Sequence, residues 1–151
     1  MAETLNGEEI ANDAVKYSHS SYSVRVDKVN HSIPEVEPNK ALVVAACLPM
    51  VARSGGKGYP FLLRANDRVI AVNMMGTYSY AYLDPGEYLI ISQSKNSDGL
   101  RVKLEAGKDY YFLQDARFGG MRSFKTRLSM HRKEVVLYEL GGAWYSDWKA
   151  K

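Results

Sequence analysis

The chain has 151 residues, 46% of them hydrophobic and 25% charged, with one cysteine and a formal net charge of +3. That length supports one domain with an ordinary core, and the composition excludes a disordered chain or a disulfide-stapled scaffold. Cys47 alone makes neither an internal disulfide nor a cysteine-based zinc site, and no apolar run approaches the roughly 18 residues that span a bilayer.

Residues 1–9 are acidic, with Glu3, Glu8 and Glu9, and lack the basic and apolar regions of a secretory signal. The expectation is either a cytosolic protein, or a periplasmic or envelope segment whose signal was replaced by a starting Met. Residues 1–21 show no sustained period and read as an N-terminal arm. Tyr22, Val24 and Val26 alternate with Ser23, Arg25 and Asp27, the period of a half-buried strand. Pro34 and Pro38 bias the following stretch to extended backbone, so it reads as a connector.

From residue 40 the pattern is β. Leu42–Cys47 is apolar on both faces and six residues long, which suits a central strand. Ser54-Gly55-Gly56-Lys57-Gly58 reads as a flexible loop; Val51 stands where a phosphate loop needs Gly, and no Ser or Thr follows Lys57. Phe61–Arg64 and Arg68–Val72 flank Ala65-Asn66-Asp67, a hairpin signal because Asn and Asp tolerate left-handed backbone. Thr77–Leu83 is a tyrosine-rich strand, closed by the turn chemistry of Asp84-Pro85-Gly86-Glu87. Tyr88–Gln93, Leu100–Leu104 and Asp109–Gln114 follow, with Glu105-Ala106-Gly107-Lys108 as another turn.

Phe124, Thr126, Leu128 and Met130 alternate with polar residues, an amphipathic strand. β-branching at Val135 and Val136 favours a final strand over a short helix for 135–140. Trp144, Tyr145 and Trp148 form an aromatic C-terminal tail with surface to dock. Short strands with turns every 8–12 residues predict an all-β fold, an antiparallel β-sandwich of immunoglobulin- or transthyretin-like type. The arm and connector take 1–39, the sandwich 40–142 and the tail 143–151.

The chemistry of a catalyst is missing. His19, His31 and His131 have no metal spacing, and Cys47 sits in an apolar strand where thiols are inert. No catalytic residue, metal or cofactor is expected. Two surfaces stand out instead. Tyr78, Tyr80 and Tyr82 share one face of a strand, either as a platform for a sugar ring or as filling of the sandwich interior.

Charge is the other signal. Residues 1–40 carry −3 and the remainder +6, and residues 117–133 hold six cations and no acid. Lys125 and Arg127 share a face, and a loop from Arg117 to Arg122 sets Phe118 between two guanidinium groups. These five residues are the candidate surface for an anionic glycan, a lipid headgroup or an envelope protein. No nucleic-acid motif frames them.

The order of motifs resembles a known family. Lys40-Ala41-Leu42-Val43-Val44 is followed by Ile70-Ala71-Val72, Gly76-Thr77-Tyr78-Ser79-Tyr80, Asp84-Pro85-Gly86-Glu87-Tyr88 and Leu104-Glu105-Ala106-Gly107-Lys108-Asp109-Tyr110-Tyr111. Over residues 40–140 this resembles a bacterial domain-of-unknown-function family of small β-sandwich proteins, many predicted as envelope lipoproteins. It is similar also to the surface modules named after their Pro-Glu-Gly-Ala turn. The resemblance implies a sandwich in an extracytoplasmic setting and no reaction. Tyr88 stands where members commonly have His, and no lipid-accepting Cys precedes residue 40, so neither feature carries over. The expected function is a non-catalytic envelope module. Its alternatives are a carbohydrate-recognition module using the tyrosines, or a cell-wall enzyme that gathers His131, a carboxylate and Cys47 in one pocket.

Overall fold

The computed structural model describes residues 3–4, 22–27, 33–48, 60–94, 96–119, 123–139 and 144–150. The Ser54–Gly58 loop, most of the N-terminal arm and Arg122 lie outside the described residues. Eleven strands and one helix occupy the described chain. The strands are β1 (Glu3–Thr4), β2 (Tyr22–Asp27), β3 (Ala41–Cys47), β4 (Phe61–Ala65), β5 (Arg68–Asn73), β6 (Thr77–Leu83) and β7 (Gly86–Gln93). β8 (Ser97–Leu104), β9 (Asp109–Gly119), β10 (Ser123–His131), helix α1 (Lys133–Glu139) and β11 (Trp144–Ala150) follow.

Two sheets pack as a β-sandwich. The smaller has the order β1-β8-β7-β4-β5 and the larger β10-β9-β3-β6-β11-β2. Pairing is mostly antiparallel, as expected, but β3 runs parallel to β9 and β11 parallel to β6. Parallel neighbours need a long crossover. The chain supplies one by building β4–β8 between β3 and β9, which no local pattern announces. Pairing also reaches beyond 40–142, because β2 and β11 are strands of the larger sheet.

Central strand β3 is buried along its whole length. Ala41, Val43 and Ala45 meet Leu63, Ile90, Leu104, Phe112 and Leu128 between the sheets. Leu42, Val44 and Ala46 face the opposite way, into a second apolar cluster with Tyr78, Tyr111, Leu113 and Val136. A strand covered on both faces has no use for polar side chains, hence its unbroken apolar run.

Turn chemistry works as the sequence predicts at the β4–β5 hairpin. Asn66 takes φ 54°, and its side-chain oxygen accepts a hydrogen bond from Leu89 N at 2.9 Å. Gly107 takes φ 77°, a region that favours glycine, and donates to Lys40 O at 2.9 Å. Residues 135–139 correct the expectation of a final strand: they are helical, with the Val135 and Val136 amides donating to Arg132 O. Packing overrides β-propensity here. Val136 buries alone, while Leu137 and Tyr138 are exposed, a spacing that a half-buried strand does not make.

One end of the interior is polar. Asn73 Nδ2 donates to Ala45 O at 3.1 Å and to Gln114 Oε1 at 2.8 Å, and Ser79 Oγ donates to Asn73 Oδ1 at 3.0 Å. Gln114 Nε2 in turn donates to Leu62 O and to Ser92 Oγ, across to the smaller sheet. The network satisfies buried amides that would otherwise be costly, and it ties the two sheets together. At the edge of the larger sheet, the Thr126 amide donates to Asn96 Oδ1 at 2.7 Å and the Leu128 amide to Asp98 Oδ2 at 2.9 Å. Two side chains from the β7–β8 hairpin thereby occupy donors that an edge strand leaves open.

Candidate binding surface

Residue parity divides β10 between two environments. Thr126 and Leu128 are buried on the side facing the smaller sheet, whereas Lys125 and Arg127 are exposed on the outer side. In register, Lys125 lies opposite Arg117 of β9 and Arg127 opposite Asp115. Asp115 is half-buried and its Oδ1 accepts from Ala116 N at 2.8 Å. No ion pair or hydrogen bond holds the Lys125 or Arg127 head group among the described residues. Arg132 and Lys133, also exposed, continue the positive charge into the start of α1.

Of the five predicted residues, Lys125 and Arg127 share the exposed face of β10, and Arg122 lies outside the described residues. Arg117 and Phe118 are strand residues, because β9 runs on to Gly119, so the expected loop is shorter than its sequence suggests. Phe118 is in register with Phe124, one position off the Lys125–Arg117 pair. Glycines in Phe118-Gly119-Gly120 favoured the loop reading, while the long ladder with β10 carries the strand as far as Gly119.

Tyrosines 78, 80 and 82 lie on the outer face of the larger sheet, turned away from the smaller one. Their strand partners Thr77 and Ser79 point inward, where the Asn73 network accepts their hydroxyls. The interior location therefore needs correction, for a physical reason: the inward phase of β6 is polar because it has polar partners. Tyr78 is 5% exposed and Tyr80 and Tyr82 are half-buried. The Tyr145 ring sits 5.7 Å from those of both Tyr78 and Tyr80, and the Tyr82 hydroxyl donates to Glu35 O at 2.7 Å. Ile33 and Val36 of the connector pack onto the same cluster. The rings interlock under a roof of connector and helix rather than forming an open platform.

Cys47 and His131 are far apart in environment. Cys47 is buried at the end of the inter-sheet core with Phe61 and Ala116, and burial, then the Asp115 charge, push its thiol well above the usual range. His131 is exposed on the outer face, 2.8 Å from Ser129 Oγ. Among the described residues no three His, Cys, Asp or Glu side chains come together as a metal site, and no helix is long and apolar enough to cross a membrane.

A groove that sequence reasoning missed lies on the smaller sheet. It encloses about 540 Å³ and is lined by Asn66, Glu87, Tyr88, Leu89, Arg101, Val102 and Lys103. The alternation of Leu100, Val102 and Leu104 with Arg101 and Lys103 marks one wet face, but the pairing of that face with Glu87 is a long-range fact. Register sets Glu87 opposite Lys103, so the groove mixes both signs of charge, unlike the row on β10.

No protein-family model matches the chain, and no curated protein and no solved structure matches it.

Proposed function

We propose that this chain is a non-catalytic binding module of the bacterial envelope, and that it holds an anionic partner against the outer face of β10. The observation that carries the proposal is the pair Lys125 and Arg127: exposed, on one face of an edge strand, and without a counter-ion among the described residues. Arg132 and Lys133 extend the row. A charge with no internal partner is free to exchange its counterions for those of a polyanion, and such binding weakens as salt screens it. The envelope setting rests on the motif order from Lys40 to Tyr111. Interlocking of the tyrosines counts against a sugar platform, and the separation of Cys47 from His131 counts against the enzyme alternative.

Retention on immobilised heparin tests the reading. The Lys125→Glu/Arg127→Glu protein should elute at clearly lower salt than the native chain. Both substitutions are on the surface, so its unfolding free energy should stay within the roughly 0.5 kcal/mol typical of such sites. Elution of both proteins at the same salt would remove this surface as the site.

A further inference from the structure

We infer that the anionic partner is a lipid bilayer, with Leu137 and Tyr138 entering the headgroup region beside the cations of β10. This inference rests on the anionic-partner reading and narrows it. Among the described residues, the large hydrophobic side chains left in water are Leu137, 41% exposed, and Tyr138, 84% exposed. A single exposed apolar residue needs no explanation. Here two adjacent ones project from a short helix whose position is fixed.

Val136, 0% exposed, anchors α1 in the cluster with Tyr111 and Leu113. Those two residues belong to the outer face of β9, the same face on which Lys125 and Arg127 stand one strand away. Docking of Val136 turns the remainder of the helix outward, so Leu137 and Tyr138 stand proud of a surface that also carries Arg132 and Lys133. Glu134 and Glu139 are the acids of the helix, and Asp109 and Asp115 are half-buried on the outer face of β9, where Asp109 accepts the Tyr111 hydroxyl, whereas Lys125, Arg127, Arg132 and Lys133 are all exposed.

This combination matches a bilayer surface better than a soluble polyanion. Lysine and arginine are drawn to the negative leaflet, and a tyrosine ring is at home at headgroup depth with its hydroxyl in water. A sulfated glycan such as heparin is held chiefly by the cations and gains little from Leu137. Two side chains with a few cations give reversible adsorption, far short of permanent insertion.

Co-sedimentation of the full chain with vesicles tests it, using phosphatidylcholine alone and phosphatidylcholine mixed with phosphatidylglycerol. The native protein should pellet with the mixed vesicles at low salt and not with the neutral ones. Leu137→Ser/Tyr138→Ser should bind the mixed vesicles about tenfold more weakly, given the apolar area withdrawn, while eluting from heparin as the native chain does. An unchanged thermal midpoint for that variant shows that the loss is not unfolding. Equal vesicle binding by the serine variant and the native chain would overturn the bilayer contact and leave the anionic-partner reading standing. So would heparin retention of a native chain that ignores every vesicle, which would point to a glycan. Binding of the Lys125→Glu/Arg127→Glu protein to heparin and to the mixed vesicles as strong as that of the native chain would overturn both readings together.

Discussion

Two halves of one sheet face have opposite fates. Over β3, β6 and β11 the outer face is aromatic and apolar, and it is roofed by residues 33–36 and by Val136 of α1. Over β10 the same face carries Lys125 and Arg127 and has no roof among the described residues. Side-chain chemistry sets the boundary. Tyrosine rings gain from burial when their hydroxyls find partners, whereas a cation taken under cover without a counter-ion is costly. Covered and open surface are thus divided along a single sheet, and substitutions on the two halves should read out differently.

The largest expected effect is on the roofed half. Tyr78→Ala removes a buried ring that touches Tyr145 and should cost about 3–5 kcal/mol. For a domain of this size that is a fall of about 10 °C or more in thermal midpoint. A loss below about 1 kcal/mol would show that the aromatic cluster is not structural and would erase the distinction between the halves.

Alkaline pH sharpens the comparison next. Burial, and then its hydrogen bond to Asp109 Oδ2 at 2.9 Å, hold the Tyr111 phenol well above its ordinary range. A proton kept in the folded state but released by the unfolded chain near pH 10 stabilises folding fully below that pH, and the contribution is lost as pH rises. Denaturation midpoints measured from about pH 8 to 11 should therefore fall more steeply for the native chain than for Tyr111→Phe. Parallel curves would mean that Tyr111 is not responsible. The Cys47 thiol, raised by burial in the same direction, is present in both proteins and cancels.

The smallest effect belongs to the rim of the roof. Tyr82→Phe deletes the bond to Glu35 O, on an exposed residue, and should cost about 0.5–1 kcal/mol in equilibrium unfolding. A value above about 2 kcal/mol would mean that the connector is held at this one point rather than by Ile33 and Val36 as well.

Sequence patterns were most legible where the deciding physics is local. Burial of β3 on both faces follows from its unbroken apolar run, and the Asn66 hairpin from a residue that tolerates positive φ. The phase of β6 was not legible. Alternation of tyrosines with Thr77, Ser79, Ala81 and Leu83 fixes two faces but not which one points inward. Distant Asn73 and Gln114 decide that by accepting polar side chains into the interior. Helix α1 was misread for a similar reason: Val135 and Val136 favour a strand locally, and only docking on Tyr111 and Leu113 makes one buried residue per turn sufficient. At the candidate surface, the exposed cations of β10 follow from period-two alternation. That Arg117 and Phe118 belong to a strand rather than a loop depends on how far the β9–β10 ladder extends. Leu137 and Tyr138 carry no advance mark of exposure, because the same residue types fill cores.

The occupied amides of Thr126 and Leu128 bear on how copies of this molecule behave when crowded. With Asn96 and Asp98 already seated on those donors, a neighbour sliding along the rim cannot knit its ladder onto this one. High local density then does not lengthen the larger sheet through these two positions, and the charged strip of each copy stays uncovered by a neighbour's strand there.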